Sequence, residues 1–156
     1  MKKALIEAVL CQGHRVCSPA TTDPRFPGGT LQMQMPLFAR AGLDLSSFYP
    51  GSLNASIAPA TFEVKAEAAD FTFPLVRWSP TEPPETFSFF RCRVGKTIDD
   101  LEDGFVYYPH PETKPEHFQP PGILEIVAPR IDGIQYGDPL FLDIDPVQIR
   151  VDRPKP

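Results

Sequence analysis

The chain has 156 residues, with 15 Lys and Arg against 20 Asp and Glu for a net charge of −5. That is the length of one domain and excludes a two-domain enzyme, and the acidic balance argues against a broad electrostatic grip on nucleic acid or an anionic membrane. Hydrophobic residues make up 42% and charged residues 22%, the balance of a globular chain and not of a disordered tail or a coiled coil. The 20 Pro and 10 Gly are scattered through the whole length, and proline breaks helix interiors, so long helices are not expected. The three cysteines, Cys11, Cys17 and Cys92, form no CxxC pair and cannot all pair within the chain, which points to reduced thiols and a cytoplasmic location. The apolar run after Met1-Lys-Lys is interrupted by Glu7 and ends by Gln12, too short for a secretory segment, and no stretch approaches the roughly 20 apolar residues of a membrane helix. A single domain is expected over residues 1–152, with 153–156 as a flexible end.

The apolar segment 4–11 reads as a first strand. Residues 13–29 are turn formers and polar groups, so 12–29 is expected to be one long loop. Leu31, Met33 and Met35 alternate with Gln32 and Gln34, the period-2 signature of a half-buried strand that Pro36 would close. Over 37–45 the apolar residues approach helical spacing, and Gly42 lies near where a short helix would stop. A Pro-Gly turn then feeds a strand in which Leu53, Ala55 and Ile57 face one way and Ser52, Asn54 and Ser56 the other. Ser52 and Asn54 therefore project from one face about 7 Å apart, and two oxygen ligands on a rigid face can share a cation. Further strands are expected at 61–64, 71–78, 86–94, 104–108, 122–128, 140–144 and 147–151. Nearly every connector carries Pro, Gly or Asp, and 109–122 is a second long loop. Short strands at this spacing indicate an all-β sandwich or barrel, and the aromatic residues between 71 and 90 suit its core.

Generic catalytic patterns are absent: the sequence has no GxxxxGK[ST], GxSxG or HExxH and no zinc-type Cys spacing. His14, His110 and His117 are too dispersed to define a metal site by spacing. Cys11 and Cys17 with His14 would lack a fourth ligand, and Cys92 reads as a core residue of its strand.

Four stretches in order nevertheless resemble a known family. They are Gly28-Gly29-Thr-Leu-Gln-Met-Gln-Met-Pro36, Tyr49-Pro-Gly-Ser-Leu-Asn54, Tyr108-Pro109 followed by the segment from His117 to Glu125-Ile-Val-Ala-Pro129, and Ile134-Gln-Tyr-Gly-Asp-Pro-Leu-Phe-Leu142. Together they are similar to the archaeal CTP-dependent riboflavin kinases, and they span roughly residues 5 to 145. The resemblance implies a small closed cradle-loop β-barrel with one or two short helices and long Pro-rich loops. It further implies Mg²⁺-dependent phosphoryl transfer from CTP, or another nucleoside triphosphate, to riboflavin or a related small alcohol.

Carried over by position, the resemblance makes Ser52 and Asn54 the magnesium ligands, with Ser replacing the family's Thr and keeping its hydroxyl. It makes Gly28, Gly29 and Thr30 the backbone donors to nucleotide phosphates. Among catalytic candidates, His117 is either a proton acceptor or a hydrogen-bonded pin for the loop 112–122, and Glu125 either a ligand contact or a solvated rung of its strand. The chain departs from the family in its insertion between Gly13 and Gly28, in lacking the acidic residue and tyrosine after the glycines, and in having Gly122 where a second Glu is frequent. These departures leave a second reading, a non-catalytic small-ligand-binding or interaction module on the same barrel.

Overall fold

The alternation of apolar and polar side chains becomes strands along most of the chain, because a pleated strand sends successive side chains to opposite faces. The computed structural model describes residues 4–12, 29–113 and 120–154; Gly28 and His117, with His14 and Cys17, lie outside them. The strands are β1 (Ala4–Cys11), β2 (Leu53–Ser56), β3 (Thr61–Val64), β4 (Phe71–Val76), β5 (Glu85–Gly95), β6 (Glu102–Pro109), β7 (Ile123–Val127), β8 (Pro139–Ile144) and β9 (Ile149–Asp152). A single α-helix among the described residues, α1 (Thr30–Arg40), and two short 3-10 turns at Ala66–Ala68 and Pro111–Thr113 complete them.

Six strands form a closed antiparallel barrel, ordered β5-β6-β7-β2-β1-β8 with β8 pairing back onto β5. The long strand β5 makes closure possible. Its first half pairs with β4 (Phe71↔Phe89) and its end with β8 (Arg93↔Asp143), while β6 runs along its other side. Strand β4 thus flanks the barrel as an edge, and β3 and β9 form a separate two-stranded sheet. The expected small all-β barrel is what the chain builds. Among the described residues no helix is long and apolar enough to cross a membrane.

Two cores result. Inside the barrel, Ile6, Ala8, Ala55, Phe90, Cys92, Val94, Val106, Leu124, Ile126, Leu140, Leu142 and Ile144 pack together. Outside it, Phe87, Phe89, Phe105, Tyr107 and Val127 turn to the opposite face and are covered by Leu31 and Phe38 of α1 and by Leu43 and Leu45. Strand β5 is therefore buried on both faces, with Phe87, Phe89 and Phe90 all at 0% exposure.

The helix corrects two expectations. Residues 31–35 are helical, not a strand, and the helix of 37–45 is instead Thr30–Arg40. Besides Thr30 at its start, Leu31, Gln34 and Phe38 are its buried positions, spaced three and four apart as one helical face requires. Gln34 disguised that pattern as a polar rung, yet it is buried because its side-chain carbonyl accepts the Tyr107 hydroxyl at 2.6 Å. Pro36 lies inside the helix on its exposed side, one turn after exposed Gln32. The Gln32 carbonyl that loses its partner there faces solvent, so proline costs less than at a buried turn. The helix stops where Gly42 suggests: Gly42 has φ 113°, its N–H bonds Ala39 and the Leu43 N–H bonds Phe38 at 2.9 Å. This Schellman closure brings Leu43 onto Phe38 in the outer core.

Candidate functional site

Strand β2 passes between β1 and β7, so its outward side chains meet those of both neighbours. The register pairs Asn54 with Cys11 on one side and with Glu125 on the other. Ala55 and Ile57 point into the barrel, and Ser52, Asn54 and Ser56 take the outer face, half-buried. Glu125 alternates with the buried Leu124 and Ile126 and takes the same outer face. Ser52 Oγ donates a hydrogen bond to Glu125 Oε1 at 3.3 Å.

The structure thus brings together three of the residues singled out in the sequence: Ser52, Asn54 and Glu125 form one patch of a hydroxyl, an amide and a carboxylate on a rigid sheet. Glu125 is not a solitary rung. Cys11 joins the row beside Asn54, which sequence reading missed because only strand register brings residues 11 and 54 together. Partial burial pushes the Cys11 thiol up from its ordinary range, so at neutral pH it is a neutral neighbour.

Gly29 occupies a different local structure from the one expected. Gly29, with φ 94°, is the N-cap of α1, where a residue without a Cβ enters the left-handed region at little cost. It brings no side-chain acceptor to the cap, and the first turn carries no acidic residue. A helix N-terminus aims backbone N–H groups and the positive end of the macrodipole outward. The packing fixes which strands the helix covers. Gln34 touches Tyr107 on β6, whereas Phe38, one turn later, packs at 5.3, 5.3 and 5.0 Å against Phe73, Phe87 and Phe89 of β4 and β5. The helix therefore runs from the β6 side toward β4. Beyond β6 in the sheet come β7, with Glu125, and β2, with Asn54.

The donor set is chemically coherent. A hydroxyl, an amide carbonyl and a carboxylate are hard oxygen ligands, suited to Mg²⁺, which usually takes few ligands from protein and completes its octahedron with phosphates and water. Among the described residues no group of three or more His, Cys, Asp or Glu gathers, so none builds an all-protein cage of the zinc type. Of the remaining candidates, Thr30 opens α1 and is buried at 6% exposure, while Gly28 and His117 lie outside the described residues. The chain matches no family model, no curated protein and no solved structure.

Proposed function

We propose that this barrel transfers a phosphoryl group from a nucleoside triphosphate, CTP in the resembled family, to the primary hydroxyl of riboflavin or a related small alcohol, with Mg²⁺ as cofactor. The supporting observation is the Ser52–Asn54–Glu125 patch, a hydroxyl, an amide and a carboxylate brought together on the outer face of β2 and β7. Phosphoryl transfer asks little covalent chemistry of a protein and much alignment and charge neutralisation. A bound Mg²⁺ would neutralise charge on the transferring phosphates; Ser52 and Asn54 would hold it. The backbone of Gly28, Gly29 and Thr30 would take phosphate oxygens, as helix N-termini such as the one that Gly29 and Thr30 begin do for anions. Glu125, already an acceptor for Ser52, would orient the acceptor hydroxyl, and His117 would take its proton.

The same reading places the protein in the cytoplasm, where Cys11 and Cys92, both free, stay reduced. It assigns the protein neither nucleic acid nor membrane as a partner.

The test is thermal denaturation with CTP or ATP, with and without Mg²⁺ and riboflavin, alongside transfer of labelled γ-phosphate to riboflavin. Nucleotide with Mg²⁺ is expected to raise the melting temperature. Asn54→Ala should lose the Mg²⁺-dependent part of that rise while melting like the parent without ligand. An unchanged Mg²⁺-dependent rise in that variant would remove Asn54 from metal binding, and no response to any nucleotide would end the kinase reading. One observation favours the non-catalytic alternative: Gly29 caps a helix instead of leading into a strand. Ligand-induced stabilisation without phosphoryl transfer is the result that would select it.

A further inference from the structure

A second polar cluster lies on the face of β5 opposite the helix-covered aromatic layer. Ser88 sits on β5 between Thr72 of β4 and Tyr108 of β6, its partners in register. Ser88 Oγ is 2.7 Å from His110 Nε2, and His110 Nδ1 is 2.9 Å from Glu112 Oε1. Thr72 Oγ1 lies 2.9 Å from Ser88 Oγ. The donor roles follow by elimination. An ionised carboxylate only accepts, so Nδ1 carries the proton; in a neutral ring Nε2 is then the acceptor, and the Ser88 hydroxyl donates to it. Ser88 in turn accepts from Thr72. A backbone hydrogen bond at Glu112 and then the Glu112–His110 side-chain bond hold the Glu112 carboxyl below its ordinary range, in keeping with the anionic role.

Backbone bonds hold this array in place. The His110 N–H bonds the Thr86 carbonyl at 2.8 Å, and Thr113 Oγ1 both donates to the His110 carbonyl and accepts the Thr86 N–H, each at 3.0 Å. Thr86 Oγ1 also accepts the N–H of Leu75 at 3.1 Å. Leu75 has φ 46°, is 62% exposed, and lies in the interruption of the β4–β5 register between Phe73 and Val76. A non-glycine residue held in the left-handed region is strained, and such strain gathers at working sites.

We propose that Ser88 is a nucleophile for acyl transfer, with His110 as its general base, Glu112 as the residue that orients the ring, and small carboxylic esters as the substrate class. Ser88 is at 0% exposure, but its hydrogen-bonded neighbour Thr72 is exposed and stands on the edge strand β4. Displacement of the Thr72 side chain is the step that would open the hydroxyl to substrate. Ser88 Oγ then attacks the ester carbonyl carbon as its proton passes to His110 Nε2. The bond from carbon to the alcohol oxygen breaks, and the alcohol leaves with that proton. Water attacks the acyl-serine, its proton passing through His110 to Ser88 Oγ as the carboxylic acid departs. This site does not depend on the phosphoryl-transfer reading.

The probe is a fluorophosphonate with a small alkoxy group, incubated with the full chain and read by intact mass and peptide mapping. One adduct on Ser88 is expected, absent in Ser88→Ala. His110→Asn should slow labelling ~10²–10⁴-fold, the range of general-base contributions, and Thr72→Ala should speed it by shortening the side chain beside Ser88. Glu112→Gln, which takes away the charge facing the imidazole, should move the pH–rate profile of labelling to lower pH, a change that a purely structural role would not produce. If His110→Asn does not fold, the Thr72 and Glu112 variants decide. Failure to label Ser88 in both the parent and Thr72→Ala overturns the proposal, as does an unaltered rate in folded His110→Asn.

Discussion

Gly122 and Gly42 are both glycines for backbone reasons, yet the reasons differ. A Cβ on Gly122 would stand 2.9 Å from the carbonyl oxygen of Ala60, where the Gly122 carbonyl also accepts the Ile57 N–H at 2.8 Å. Position 122 therefore has no room for a side chain. Gly42 has open space around it and φ 113°, so a substitution meets only conformational strain. Gly122→Ala should cost ~1–3 kcal/mol through overpacking, and Gly42→Ala ~1–2 kcal/mol through the left-handed backbone. Urea unfolding measures both; a neutral Gly122→Ala would show that the 57–60 segment yields freely. At this same scale the pairing of Ser52 with Asn54 was legible, since period 2 alone puts them on one face. The addition of Glu125 and Cys11 was not, because register across three strands is a non-local property.

Among the elements, α1 is where local pattern and tertiary packing disagree. Leu31, Met33 and Met35 alternate like a strand, but Gln, Met, Leu and Ala are also good helix formers, and the aromatic layer on β4, β5 and β6 offers a surface that a helix covers better than another strand. Phe38 is the anchor: at 0% exposure it meets Phe87 and Phe89 edge to face, at 78° and 79° between ring planes. Phe38→Ala should cost ~3–5 kcal/mol, the range for losing a buried aromatic ring, as read by chemical denaturation. If the helix N-terminus holds phosphate as proposed, the same variant also weakens nucleotide-dependent stabilisation; a loss of stability below 1 kcal/mol, on a scale where burying one such side chain is worth about 1.5–3 kcal/mol, would show that α1 is not anchored there.

For the whole molecule, pairing of β5 with β8 closes six of the seven paired strands into a barrel. Cys92 reports on that closure. It lies in the barrel core at 6% exposure, and burial together with Asp103 and Asp143 pushes its thiol far above the ordinary range, so it stays protonated and unreactive while the barrel is closed. Iodoacetamide should therefore modify Cys92 only at the rate of global unfolding, a rate that denaturant accelerates and that leaves the half-exposed Cys11 ahead of it. Fast alkylation of Cys92 in native protein would mean that the β5–β8 seam opens locally.

Composition, turn residues and alternation by themselves determined an all-β domain, the positions of its strands to within a few residues, and the shared face of Ser52 and Asn54, because these depend on contacts between near neighbours in the chain. Tertiary structure alone decided that residues 30–40 coil into a helix, that Glu125 and Cys11 flank Asn54, and that Ser88 meets His110. Each of those outcomes depends on which distant surface a segment is pressed against, and a side chain such as Gln34 reads as polar and outward until the hydroxyl that buries it arrives from another strand.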